Sequence, residues 1–181
     1  MIFSLFRKNP RRTTIAILYA RIASASRAPG LYTALGVPDT LEGRFEALSL
    51  HVIIALRALR GLPAPAADIA GDLTDAFFQD LDAAHREMGI GDTTVPKRMK
   101  KLAASFYGRA NAYDAPLDAA DEAALAVALG RNACGTEAPA TGLARYALAA
   151  ERGLKAADLA TMLEPGPVFP KPEDFAEEGN R

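Results

Sequence analysis

The segment LEGRFEALSLHVIIALRALR, residues 41–60, is apolar nearly all the way round when wound as a helix. Leu41, Phe45, Leu48, Val52, Leu56 and Leu59 recur at three- and four-residue steps and form one stripe. At about 100° per residue, Ala47, Leu50, Ile54 and Ala58 point away from that stripe. Glu46, His51 and Arg57 exclude a bilayer span. Two readings remain: a helix buried at the centre of a bundle, or one that keeps an apolar strip exposed for a client. Both demand several partner helices.

The rest of the chain supplies them. Its 181 residues are enough for one domain with a real core. Half are apolar but only 7% are aromatic, none is Trp, and Ala recurs throughout, a composition that favours close-packed helices. The patterning predicts helices over 13–27, 41–60, 65–88, 117–134 and 141–163, and another starting near 95. The last of these is expected to end before a turn at Tyr113-Asp114-Ala115-Pro116. Asp39, three residues before Glu42, is the expected N-cap of the 41–60 helix. No strand signal stands out. The expectation is an all-α fold, a single compact bundle of about six helices. A basic N-terminal helical segment (1–29) precedes the helical domain (30–164). A Pro-rich acidic tail (165–181), EPGPVFPKPEDFAEEGNR from Glu164 onward, is expected to be disordered.

Formal net charge is −1, so electrostatic recognition must come from local asymmetry. Residues 1–38 hold Arg7, Lys8, Arg11, Arg12, Arg21 and Arg27 and no acid. The apolar run within MIFSLFRKNPRRTTIAILYAR is too short and too interrupted for a secretory leader, and is expected to be retained. Either Ile2, Phe3, Leu5 and Phe6 dip into an anionic membrane surface, or the terminus simply leads into a first helix. In REMGIGDTTVPKRMKK a glycine pair separates two helices. Beyond it Lys97, Lys100 and Lys101 face away from Val95, Met99, Leu102 and Phe106.

Asp80 and Glu87 lie near the apolar stripe of the 65–88 helix and need partners there; Arg44, Arg57 and Arg109 are the available cations. A carboxylate pair could also serve acid–base or di-metal chemistry, but no Glu-x-x-His pair exists to support a metal. Cys134 is the one cysteine, so no internal disulfide forms and a reducing compartment fits. There is no phosphate-binding loop, dinucleotide fingerprint or nucleophile elbow, and no cofactor is expected.

Several strings occur in one order: LYTALGVPDTLEGRFEALSLHV, FFQDLDAAHREMGIGDTTVPKRMKKLAASFYGRANAYD, and ALGRN. Together they resemble the ubiquinol–cytochrome c chaperone family over roughly residues 30–165, in the style of its alphaproteobacterial branch. Mitochondrial members of that family help to assemble the cytochrome bc1 complex by binding newly made cytochrome b. The matching positions are Asp39, Arg44, Asp80, Asp82, Arg86, Glu87, Gly89, Gly91 and Asp92, then Lys97, Lys101, Phe106, Tyr107, Gly108, Arg109, Tyr113, Asp114, Arg131 and Asn132. His85 and Thr93-Thr94 depart from the pattern.

The resemblance implies a non-catalytic, cytoplasmic assembly factor, peripheral at the inner membrane, with cytochrome b or another membrane protein as client. Contact with anionic membrane or the ribosome is compatible with the basic segments, specific DNA binding is not expected, and the oligomeric state stays open. An apolar groove beside the 41–60 helix, rimmed by charges from 80–109, would receive the client. Its expected contact residues are Arg44, Leu50, Ile54, Asp82, Arg86, Glu87, Asp92, Lys97, Lys100, Lys101, Tyr107 and Arg109. Asp39, Asp80, Glu87, Arg44, Arg57 and Arg109 are the expected structural ion-pair set. The alternatives are a nucleic-acid-binding module using the basic helix 95–109, or heme or quinone handling.

Overall fold

The computed structural model describes residues 10–89, 94–164 and 169–176. All regular structure among them is helical. Helix α1 spans Pro10–Ala25, α2 Pro29–Thr33, α3 Leu41–Arg60, α4 Ala66–Glu87 and α5 Val95–Asp118. Then come α6, Glu122–Leu129, running on as a π-helical turn over Gly130–Cys134, α7 at Thr141–Lys155, α8 at Leu159–Leu163 and a 3₁₀ turn at Pro172–Phe175. The compact helical bundle expected from the patterning is present.

α3 is the central element and packs against α1, α4, α5 and α7. From Ser49 to Leu59 every residue but Leu56 is buried. The buried reading therefore holds for the C-terminal half of the helix. Its start is set by Thr40 rather than Asp39: the Thr40 hydroxyl accepts from the Gly43 N–H at 3.1 Å. Asp39 instead accepts from Arg44 at 2.7 Å.

Three other expectations are corrected. α5 runs through the proposed Tyr113–Pro116 turn, because Tyr113 and Leu117 are anchored in the core on either side of Pro116. The expected 141–163 helix is two helices, with Asp158 capping the second by accepting from the Thr161 N–H at 2.8 Å. The tail is not disordered over 169–176. Phe169 is buried against His51, with ring centroids 4.7 Å apart, and Phe175 lies edge-on to Tyr146 at 5.8 Å. Bare backbone makes room for it. A Cβ at Gly30 would collide with the Glu173 carboxylate, and one at Gly142 would come within 2.7 Å of the Phe175 carbonyl. Helix α1, within the N-terminal segment set apart at 1–29, also enters the common core, through Ile15, Leu18 and Ile22.

Candidate functional site

A groove of about 450 Å³ opens where the N-terminal half of α3 meets the C-terminal end of α4 and the first half of α5. Leu41, Phe45 and Leu48 of α3 form one wall; Leu81, Ala84, His85 and Met88 of α4 form the other. α5 adds Arg98, Lys101, Leu102 and Ser105, while Arg27 and Tyr32 close one side. The contributing positions on α3 and α4 repeat at three- or four-residue intervals over about two turns, so each helix offers one continuous face. Phe45 stacks on the buried Phe77 at 6.4 Å, and Phe77 meets Phe106 at 4.9 Å, which ties the groove floor to the core.

The groove is where the molecule shows greasy surface. Leu41 is 53% exposed and Met88 48%, two of the few large hydrophobic side chains that face solvent among the described residues. Two roomier hollows, near 660 and 710 Å³, lie beside Cys134 and beside the Pro170–Pro172 stretch. Neither is lined by an exposed large apolar side chain.

Charge rims the groove unevenly. Glu46 accepts a two-pronged pair of hydrogen bonds from Arg109, at 2.9 and 3.1 Å. Burial raises the Glu46 pKa even so, and Arg109, held by Glu46, is raised as well. Asp80 accepts from the Tyr19 hydroxyl at 2.7 Å; burial and that bond push the tyrosine pKa up. Arg44 is raised by its bond to Asp39. Arg27, Arg98 and Lys101 are exposed and have no ion pair or hydrogen bond from their side chains among the described residues. His85 donates through Nδ1 to the Leu81 carbonyl at 2.7 Å.

The expected contact residues divide. Arg44 and Lys101 line the groove, as does Asp80 of the ion-pair set. Leu50 and Ile54 do not: both are fully buried, because the face opposite the 41/45/48 stripe is the one packed into the bundle. Asp82 and Arg86 bond each other across one helical turn at 2.7 Å. Glu87, Lys97 and Lys100 are exposed but outside the groove, and Asp92 lies outside the described residues. Tyr107 is exposed on another side, next to Phe78 at 6.3 Å.

Arg57 is a hub rather than a partner of Asp80 or Glu87. It donates to Glu151 at 2.6 Å and also bonds Asp114 and Asp118. Burial opposes its charge, but the three carboxylates outweigh it and raise its pKa; Asp118 is lowered in return. Nearby His51 is fully buried, with Nδ1 donating to the Ala47 carbonyl and Nε2 accepting from the Tyr146 hydroxyl, each at 2.7 Å. Burial lowers its pKa to about 4, so it is a neutral structural ring.

The groove residues missing from the expected contact set include Leu41, Phe45 and Leu48, read only as one apolar stripe of the 41–60 helix, and Leu102, read as facing away from the lysines. Their signal was present as surplus: a helix apolar on both faces cannot bury both unless helices surround it along its whole length. Arg27 and Arg98 were recognisable as basic but not as groove residues, because the sequence carries no sign that α1 ends beside α5. Among the described residues no group of three His, Cys, Asp or Glu side chains is placed to hold a metal ion, and no helix is long and apolar enough to cross a membrane.

Among the described residues, this groove is the hollow that is apolar at its base and cationic at its rim, a combination that suits a short amphipathic segment. The profile of the family described as ubiquinol-cytochrome C chaperone matches residues 33–169, and the chain belongs to that family. A solved structure that it resembles is the crystal structure of the Cbp3 homolog from Brucella abortus. The two share 38% identity and a TM-score of 0.81, with 98% of this chain and 100% of that one covered. Among curated proteins, none matches.

Proposed function

We propose that this protein is a non-catalytic chaperone of cytochrome bc1 assembly that holds newly made cytochrome b through the α3–α4–α5 groove. It would do so at the cytoplasmic face of the membrane. Family membership supports the pathway. The observation that carries the site is the exposure of Leu41 and Met88 on facing walls of one groove. A monomeric fold has no use for them there, since their removal from water needs a second surface.

Pairing Leu41→Asp with Met88→Asp tests this reading in cells. Both side chains are half exposed, so the substitutions should leave the bundle folded while placing carboxylates in the groove. The expected result is a several-fold fall in spectroscopically measured b-type heme and in ubiquinol–cytochrome c reductase activity, at unchanged level of the variant protein. Full assembly with the double variant as the sole copy would remove the groove from the account.

A further inference from the structure

The groove's charge and length specify its occupant more closely than the word client does. Each acid and cation at the rim can be assigned. Glu46 is taken by Arg109, Arg44 by Asp39, and Asp80 accepts from Tyr19. Arg27, Arg98 and Lys101 have no such partner among the described residues, and they come from two different helix ends that converge on one mouth. Glu42 is the rim carboxylate without a hydrogen bond to a side chain among the described residues, and it sits in the first turn of α3, where the helix dipole favours a negative charge. Three cations against Glu42 and Asp80, whose charge the neutral Tyr19 hydroxyl does not cancel, leave the mouth positive by one, although the whole chain carries a formal charge of −1.

The apolar part is short. Leu41 to Leu48 are seven steps apart on α3, and Leu81 to Met88 seven steps apart on α4, about 10 Å of helix on each wall. A segment with apolar anchors at i, i+3 or i+4, and i+7 matches that length. A full transmembrane helix, roughly 30 Å long, does not fit within it.

We propose that the groove binds a two-turn amphipathic helical segment of a protein client whose apolar face is flanked by Asp or Glu, with Arg27, Arg98 and Lys101 reading those carboxylates. This rests on the reading of the groove as the client site and adds the chemistry of what enters it. The carboxylates complete the positive mouth while Leu41 and Met88 leave water. Long-range attraction of this kind selects partners and speeds encounter more than it adds affinity.

Two fluorescein-labelled peptides decide it. They share Leu and Phe anchors at helical spacing, one with Glu at the flanking positions and the other with Lys, and are titrated into the full chain at low and moderate salt. The acidic peptide should bind about tenfold more tightly at low salt, with the preference shrinking as salt screens it. Arg98→Glu with Lys101→Glu should erase or invert that preference. Both side chains are exposed and make no ion pair among the described residues, so the fold should survive; unchanged circular dichroism and thermal midpoint check this.

Equal binding of the two peptides, or a preference for the basic one, overturns the inference while leaving the groove as client site, provided Leu41→Asp with Met88→Asp abolishes binding of both. Binding of neither overturns the inference. Should vesicles containing phosphatidylglycerol bind the wild type but not the Arg98/Lys101 variant, with neither peptide binding, the cations face lipid instead. The groove reading itself then stands or falls on the assembly of cytochrome bc1 in cells.

Discussion

At its C-terminal end α3 carries Arg57 into a closed shell of carboxylates from α5 and α7. At its N-terminal end the same helix holds Leu41 up to solvent, opposite an equally exposed Met88. At the closed end every strong charge has a named partner: Glu151 is held by Arg57 and again by Lys155 at 3.1 Å, and His51 is bonded at both nitrogens. The open end keeps apolar surface and three cations without such partners among the described residues. On the proposed function, one helix serves as the pillar of the fold at one end and as a binding wall at the other. Stability and recognition should separate along it.

The sharpest test of that separation is Arg57→Met. It leaves the buried Glu151 with only the half-exposed Lys155 and should cost up to roughly 3–5 kcal/mol, the range for breaking a buried pair. Adding Glu151→Leu should recover much of the loss. Urea unfolding of the single and double variants measures both. A loss below about 1 kcal/mol for Arg57→Met would mean that the closed end is no more demanding than an ordinary surface pair.

Next in size is the pH response of His51. Its pKa of about 4 in the folded protein lies below the 6.5 of the free side chain, so the unfolded chain takes up the proton first as pH falls. Stability from the neutral ring is complete above about pH 6.5 and is lost progressively toward pH 4, by about 3 kcal/mol. His51→Gln should be less stable at pH 7 yet flatter over that window. Parallel urea midpoints for wild type and variant at pH 7, 5.5 and 4.5 would contradict it.

The smallest effect on stability belongs to the open end. Leu41→Asp and Met88→Asp should each change unfolding free energy by no more than about 0.5 kcal/mol, since neither side chain is in the core. A loss comparable to that of Arg57→Met would show that these side chains hold the bundle together. They would then not be available to a client.

Which parts of this were legible follows from what periodicity can and cannot encode. The helical class, the α3 and α4 spans and the charge reversal after α4 all come from local pattern. So does the pair of readings for α3, central in a bundle or carrying an exposed apolar strip. Which of its two apolar stripes is covered is not a local property: Leu50 and Ile54 are buried where α3 packs against elements far away in the chain, whereas Leu41 is exposed and Phe45 only half-buried. The Arg57 hub escaped for the same reason, its carboxylates lying 57 to 94 positions away. Pro116 read as a breaker, but two core anchors outweigh the hydrogen bond it lacks. In the tail, prolines hid two aromatic residues that dock on His51 and Tyr146, with Gly30 and Gly142 making room for the neighbouring tail atoms, a fit visible only once the helices are assembled.

The central claim is that the open end of α3 binds the client. Its most direct test is purification of the tagged protein from its own membranes in mild detergent, with cytochrome b quantified by mass spectrometry for wild type and for Leu41→Asp with Met88→Asp. Enrichment of cytochrome b with the wild type, falling at least about tenfold with an equally stable double variant, is the predicted result. Equal recovery from both would place cytochrome b elsewhere on the molecule and contradict the account.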